Sequence, residues 1–564
     1  MKTISLLLIF FSLNCFSQNT IYVSTTGDDN SGNGSISNPY ATLQYALNQS
    51  SDNDTIILRG GNYTSQEIRI NNNNISIMSY PGEWAVIEAT TDVEDVTSCI
   101  WYHEPTIVGG RLERLEIIGG YLYGVKLESD WNWGASIPNR HGTSNITISH
   151  CKIHDTGRDC IKVPSGCDNI TIENCTIYNS GIGISNNPND PNAEGIDLVN
   201  DDNVIVRNNF IYNTSTTGVY AKGGCINTLI ENNLVMNAGE GGILLGFYTD
   251  EEWFDTIANP NFYENLESTV RNNIVVNTNL DGIGMYAAYK PKVYNNTVIN
   301  AAQTEHAALF FNTGYMWLDE ISDMIAPPCV DVYVVNNIFT VTSSRPNAQI
   351  RYYDDDTTSN MRGNCVIDNN LYFKNGGAEF DDGINWQTLN LNAWQNSTSY
   401  DANSIEANPE LDANYHLTAS SPCINTALNV SNLIIDYDGN TRTQPFDIGA
   451  DEYNAGNNLP VPPDSSILGT GNDTIVVTTI TNNKLQITGL QIFPNPATDI
   501  VNINLKNIDN CSLQIISLNG KVLKDINITK KHSTIDVSKF EQGIYFIRIN
   551  GKDFSTVKEI VISN

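Results

Sequence analysis

Short runs of β-branched residues separated by polar turns fill the middle of the chain, and no apolar pattern of helical period interrupts them. Ile146-Thr-Ile148, Ile170-Thr-Ile172 and Val204-Ile-Val206 alternate as strands do, with successive side chains on opposite faces. Between the runs an Asn pair recurs, with a further Asn five residues after its first member. Asn208 and Asn209 lead to Asn213, Asn232 and Asn233 to Asn237, Asn272 and Asn273 to Asn277, and Asn295 and Asn296 to Asn300. Asn174 with Asn179 continues the series upstream, and His150 with Asp155 fits it loosely. The lead positions 150, 174, 208, 232, 272, 295 and 336 are spaced by 24, 34, 24, 40, 23 and 41 residues. A step of 23 or 24 residues with two sizes of insertion is a solenoid signature. Steps this short, made of strands and polar turns, predict an all-β fold, a right-handed parallel β-helix of about ten or more coils. Asn at equivalent corners would stack from coil to coil and satisfy turn backbone.

The repeat aligns the strands that follow each corner: Cys160-Ile-Lys-Val163, Gly195-Ile-Asp-Leu198, Gly218-Val-Tyr-Ala-Lys222, Gly242-Ile-Leu-Leu-Gly246 and Gly282-Ile-Gly-Met-Tyr286. Ile161, Ile196, Val219, Ile243 and Ile283 form an apolar column that must point inward. The next column, Lys162, Asp197, Tyr220, Leu244 and Gly284, points out, as do Val199, Lys222, Gly246 and Tyr286 two residues on. Lys162, Asp197, Tyr220 and Lys222 are therefore expected on one exposed patch across three successive coils, with Lys126 extending the column by one coil. Two insertions border it. Asn186-Asn-Pro-Asn-Asp-Pro-Asn-Ala-Glu194 is stiffened by Pro188 and Pro191. The longer one after Gly246 carries Tyr248, Asp250, Glu251, Glu252 and Trp253. Insertions in solenoids gather on one face, often the binding face.

The flanks divide the chain further. Met1-Lys2-Thr3, the apolar run Ile4 to Leu13 and Cys15-Phe16-Ser17 predict a secretory signal peptide over residues 1–17. A lipoprotein reading through Cys15 fits poorly because Asn14 precedes it. Asn38-Pro-Tyr-Ala-Thr-Leu-Gln-Tyr-Ala-Leu47 predicts a short amphipathic helix covering the open N-terminal end of the coils. Together with Ile21-Tyr-Val-Ser-Thr-Thr-Gly-Asp-Asp this stretch resembles the opening of secreted bacterial β-helix proteins, polysaccharide lyases among them. The coils are expected to end near residue 375. Ser420-Ser-Pro-Cys-Ile-Asn425 through Asp447-Ile-Gly-Ala-Asp-Glu-Tyr453 resembles the closing piece of the same proteins, so the β-helix domain is read as 18–453. Residues 454–483, rich in Asn, Pro, Gly, Ser and Thr, read as a linker. From 484 to 564, Phe493-Pro-Asn-Pro-Ala-Thr498 and the alternating strands after it resemble the C-terminal sorting domain of the type IX secretion system of Bacteroidota, a small β-sandwich. That resemblance implies handling by the type IX machinery and delivery to the cell surface or the medium.

Composition sharpens this picture. The formal net charge of −33 excludes a nucleic-acid or anionic-membrane partner over most of the surface, but not an anionic substrate met by local cations. No later stretch reaches the ~18 apolar residues of a membrane span, and a soluble monomer is expected. Of the 11 cysteines, Cys151 and Cys175 hold equivalent positions on adjacent coils, which suits either a disulfide or two stacked buried thiols.

Three chemistries fit the patch. β-Elimination of a uronate polysaccharide needs a base for the C5 proton, a charge to neutralise the carboxylate and an acid for the leaving oxygen. Lys222 or Lys162 supplies the base and Tyr220 the acid. Arg158, or Ca²⁺ held by Glu194, Asp197, Asp201 or Asp202, neutralises. Tyr248, Trp253, Tyr286 and His306 are candidate substrate-binding residues. The arrangement resembles that of parallel β-helix lyases in type, a Lys or Arg base beside an acidic Ca²⁺ site, and implies ulvan or alginate ahead of pectate. Hydrolysis by Glu194 with Asp197, or Asp159 with Asp197, is the alternative, although the Asn-Thr-Asp, Asp-Asp and Gly-His-Gly series of β-helix polygalacturonases is missing. A glycan-binding adhesin without catalysis is the third.

Overall fold

The computed structural model describes residues 19–131, 141–189, 191–318, 323–351, 361–384, 388–430, 433–453, 491–493, 497–504, 511–517, 522–528, 532–540, 543–550 and 555–562. The expected signal peptide and linker lie outside these residues. The chain divides into two compact units, Met1–Asn472 and Asp473–Asn564.

The first unit is a parallel β-helix whose three long sheets hold twelve, eleven and twelve strands, each strand paired with its counterpart one coil away. A fourth, five-stranded sheet runs beside them where the insertions lengthen the coils. Parallel strands buried on their inner face read as apolar columns, and here Ile146, Ile172, Val206, Ile230, Val270, Val293 and Val334 are all fully buried.

Asn does two jobs at the corners. The first Asn of each pair, and the one five residues later, sit in left-handed backbone, with φ of 54° at Asn208 and 53° at Asn213. Asn tolerates that region far better than a branched or bulky residue. The second Asn of each pair is buried and makes a ladder along the coils. Asn209, Asn233, Asn273, Asn296 and Asn337 each donate Nδ2 to the Oδ1 of the next at 2.9–3.0 Å, ending on Asn370. Unpaired backbone at a tight corner inside an apolar column would be costly, and the ladder satisfies it. The exposed Asn213 and Asn237 and the half-buried Asn277 and Asn300 make a second, outer ladder.

Both ends are closed. Helix α1, Leu43–Gln49, is capped by Thr42 and buries Leu43, Ala46 and Leu47 over the first coil. The coils do not stop near residue 375: Leu371–Lys374 pairs with a further strand, Ile405–Glu406. Helix α2, Leu391–Thr398, occupies that last coil, and its Trp394 stacks on Phe380 with centroids 5.3 Å apart. The asparagine signal ends before this coil, which is why its extent was missed. Residues 407–430 and 433–453 then run back along the outside of the third sheet. Asn232, Asn272, Asn295 and Asn336, first members of their pairs, donate to carbonyls of this strap at Asp436, Ile435, Asp447 and Leu428. Cys151 and Cys175 are free buried thiols, as are Cys99, Cys160, Cys167, Cys225, Cys329 and Cys423, while Cys365 is free and half-buried.

The second unit packs a three-stranded and a four-stranded antiparallel sheet around Val501, Ile503, Leu513, Ile515, Ile547, Ile549 and Ile560. This is the small β-sandwich expected of its sequence.

Candidate functional site

The eleven-stranded sheet carries the columns aligned from the sequence. Lys126 pairs with Lys162, Lys162 with Asp197, Asp197 with Tyr220, Tyr220 with Leu244 and Leu244 with Gly284. Val199 pairs with Lys222. The register is as expected. The exposure is not.

Asp197 and Tyr220 are 2% and 4% exposed: Lys162 pairs with Asp197, and Phe247 and Tyr248 of the second insertion pack on Tyr220. Phe247 stacks over the Tyr220 ring with centroids 6.0 Å apart, and burial pushes the Tyr220 phenol well above its ordinary range. A hydroxyl so placed does not serve as an open proton donor. Lys162 is one-fifth exposed and forms an ion pair with Asp197. Burial opposes its charge, but Asp197, Asp159 and Tyr123 together hold its ammonium above the ordinary lysine value. Lys162 is therefore a fixed cation and not a base. Arg158 donates Nε to the Asn192 carbonyl at 2.8 Å and so braces the first insertion.

The buried side of the patch is acidic. Asp159 and Glu194 hold the same place on adjacent coils, two residues before Ile161 and Ile196, and Asp197 lies one residue past Ile196. Carboxylate oxygens of Asp159, Glu194 and Asp197 all lie within 4.8 Å of one another. Burial first, then the charges of Glu194 and Asp197, push the Asp159 carboxyl well above its ordinary value. Thr216 donates to Glu194 Oε1 at 2.8 Å, and the Glu194 amide donates to Asp159 Oδ1 at 3.2 Å. Glu194 Oε2 and Asp197 Oδ1 are buried without any partner. Buried polar atoms of this kind are rare and point to a missing ligand or proton.

Asp201 and Asp202 do not join this group. Asp201 is fully buried, accepts the amides of Cys167 and Val199, and ties a turn. Asp202 donates its amide to Asp168, and burial raises its carboxyl to about 6. Asp159 takes their place. The sequence held the signal, since Asp159-Cys160-Ile161 and Glu194-Gly195-Ile196 align residue for residue.

Lys222 is half-buried on the strand next to that of Asp197, two residues past Tyr220. Its ammonium sits 4.5 Å from the centre of the Tyr220 ring, and among the described residues no carboxylate forms an ion pair with it. Gly223 and Gly224 behind it, with φ of 68° and 100°, make the turn and leave no space for a ligand. A Cβ on Gly223 would meet Val199 at 3.0 Å, and one on Gly224 would meet Asn259 at 3.2 Å.

The residues expected to bind sugar scatter. Trp253 is 40% exposed at the rim of the second insertion, whose Glu252 carbonyl accepts Trp131 Nε1 at 2.9 Å. Tyr248 is half-buried, accepts Asn312 Nδ2, and has its phenol pushed up to about 12 by burial. Tyr286 is buried and donates to Asp281 Oδ2 at 2.7 Å, while His306 Nδ1 lies 2.8 Å from the other oxygen of Asp281. His306 stacks on Phe310. Tyr248, Tyr286 and Phe310 form an apolar wall beyond Tyr220 together with Phe247 and Leu244. Only Trp253 of the four is open to a polymer.

Two family models match the chain. Residues 137–320 match the right handed beta helix region, and residues 491–563 match the secretion system C-terminal sorting domain. The chain is a right-handed β-helix protein with a type IX sorting module. That module marks it for export to the cell surface or the medium. No helix among the described residues is long and apolar enough to cross a membrane. No curated protein matches the chain. Among solved structures it is similar to pectate lyase Pel9A, at 14% identity and a TM-score of 0.44, over 78% of this chain and 97% of that one. It is similar also to the complex of XylC with xylose, at 12% and 0.45, over 76% and 98%. A third is the mannuronan C-5 epimerase AlgE6 A-module of Azotobacter vinelandii, at 12% and 0.37, over 63% and 91%. Likeness at this level carries nothing about reaction, so the functional reading rests on the side chains.

Proposed function

We propose that the β-helix unit is a polysaccharide lyase that cleaves a uronate-containing polymer by β-elimination. The observation that carries this reading is the buried triad Asp159, Glu194 and Asp197, with two unpartnered oxygens, beside one fixed and one unpaired lysine. Hard oxygen donors at such separations fit Ca²⁺, so the triad is suited to it. Asp159, Glu194 and Asp197 would hold the ion, and its charge would neutralise the substrate carboxylate and acidify the proton on C5.

The chain's own groups supply the rest. Lys222 Nζ, in its neutral form, takes the C5 proton, the C–H electrons become the C4–C5 double bond, and the C4–O bond breaks. The departing oxygen takes up a proton, which the same ammonium can return when both groups lie on one face of the sugar. Lys162 holds positive charge beside the carboxylates throughout. Trp253 offers a rim on which a neighbouring sugar ring stacks. Ulvan or alginate is preferred to pectate as the polymer.

A second reading has one observation in its favour. Asp159 is pushed toward the protonated form while Asp197 is paired with an ammonium, the split expected of a general acid and its partner in a glycoside hydrolase. One experiment separates the two. The exported protein is incubated with ulvan, alginate and pectate, with Ca²⁺ or with chelator, and both the ultraviolet absorbance of unsaturated uronate and new reducing ends are followed. Elimination raises both signals, and Lys222→Ala lowers them by ~10²-fold or more with melting little changed. New reducing ends without absorbance select hydrolysis. Binding without either signal leaves a glycan-binding protein and ends the lyase reading.

A further inference from the structure

The closing strap contains a second group of possible ligands, remote in the sequence from the acidic triad. His416, Asp438 and Asp451 bring a ring nitrogen and two carboxylate oxygens within 4.8 Å of one another. His416 Nε2 lies 2.8 Å from Asp438 Oδ2, and its Nδ1 lies 3.7 Å from Asp412. Asp451 Oδ2 accepts the Leu417 amide at 2.7 Å. The Asp438 side chain is 5% exposed, and its Oδ1 is buried with no partner. Hydrogen bonds within the group therefore leave one carboxylate oxygen unsatisfied where an apolar strap would have needed no carboxylate at all.

Access exists too. Asp438 lines a groove of about 470 Å³ between the strap and the first sheet, with Arg207, Glu231 and Asn232 on its other side. The three residues come from three separate turns of the strap, so a ligand bridging them would cross-link it.

We propose that His416, Asp438 and Asp451 form a site for a divalent transition cation, Zn²⁺ by ligand type, that cross-links three turns of the strap and so holds it in the shape that packs on the coils. One imidazole with two carboxylates is the donor set of borderline cations, whereas Ca²⁺ prefers all-oxygen sites such as the triad. Binding displaces the proton that His416 shares with Asp438 and uses the orphaned Oδ1 or its partner oxygen as ligand. The strap is the natural place for such a cross-link. It meets the coils through the corner Asn side chains, through Arg442, which donates Nη2 to Asn272 Oδ1 at 3.0 Å, and through apolar packing of Tyr437, Leu417 and Ile448 with Ile274, Ile338 and Leu371. Arg442 also ties the strap to itself at the carbonyls of Gly449 and Ala450. The site is independent of the lyase reading.

The test uses the full exported chain stripped with chelator and titrated calorimetrically with ZnCl₂, with CaCl₂ in a parallel arm. The wild type, Asp438→Asn and Asp197→Asn are compared. The expected result is one Zn²⁺ equivalent in the wild type and in Asp197→Asn that is absent from Asp438→Asn. Zn²⁺ should also raise the melting midpoint and slow proteolysis of the strap in the first two proteins only. If Asp438→Asn fails to fold, His416→Gln serves instead, with circular dichroism as the folding control. Equal Zn²⁺ isotherms in wild type and variant would overturn the site. So would Ca²⁺ binding at Asp438 in preference to Zn²⁺, or no Zn²⁺ binding by the wild type.

Discussion

Replacing Lys162 by Met keeps most of the apolar stem and removes the ammonium, with its charge and its hydrogen bond to Asp197. In the native protein one ammonium stands among three carboxyl groups that are 1–3% exposed. Lys162 opposes the upward push on Asp159 that comes from burial and from Glu194 and Asp197. Breaking a buried pair from one side costs ~3–5 kcal/mol, and the one-fifth exposure of Lys162 favours the lower end, about 3 kcal/mol. The loss depends on pH, and its sign can be worked. The native pKa of Lys162 is raised, so the pair stabilises the fold at every pH below the ordinary lysine value of ~10.4. In Lys162→Met the raised Asp159 carboxyl rises further, so the native state binds more protons than the unfolded chain, and stability falls as pH rises through the acid range. Urea unfolding at pH 5 and pH 8 is the assay. The variant should lose about 3 kcal/mol at pH 8 and roughly half of that at pH 5, where the carboxyl groups can share protons. An equal loss at both pH values would mean that packing, not charge, was removed. No loss at either would refute the coupling altogether.

The Asn ladder gives a second test. Asn273→Ala removes the acceptor of the Asn233 amide, one of the three acceptors of Asn233 Nδ2, and the donor to the carbonyls of Ile230 and Arg271 in the interior, at a cost of about 3 kcal/mol in urea unfolding. Asn277→Ala, on the outer ladder, should cost no more than ~1 kcal/mol by the same measurement. At the C-terminal end, Asp401 accepts from Trp394, Ser404, Tyr372 and Asn370, and burial raises its carboxyl to about 6. A raised acid stabilises the fold below its unfolded value and loses that contribution as pH rises through 6. Relative to Asp401→Asn, the wild type should therefore lose about 3 kcal/mol between pH 4 and pH 7, read by Trp fluorescence during urea unfolding. Lys222→Ala should shift melting little, because among the described residues its ammonium forms no ion pair and makes one ring contact, with Tyr220, besides its field on the buried Glu264.

The sequence by itself determined the coil. Its 23–24-residue step, its β-branched runs and its Asn corners set the register, because a strand has a period of two and one slipped residue would turn Ile161, Ile196 and Val219 out of the core. The columns Lys162–Asp197–Tyr220 and Val199–Lys222 were legible for the same reason. Tertiary structure alone decided which of those outward residues meet solvent. The second insertion lays Phe247 and Tyr248 over Tyr220 and Tyr286, Asp197 is buried beneath its pairing with Lys162, and no local periodicity encodes these contacts. The same burial makes Lys162 a fixed cation and gathers Asp159 with Glu194 and Asp197. It leaves Lys222 half-buried and Trp253 exposed in the expected site. The extra coil around Trp394, and the meeting of His416 with Asp438 and Asp451, are of the same kind. They join turns that are distant along the chain, and only the packing of the strap and helix onto the finished coils brings them together.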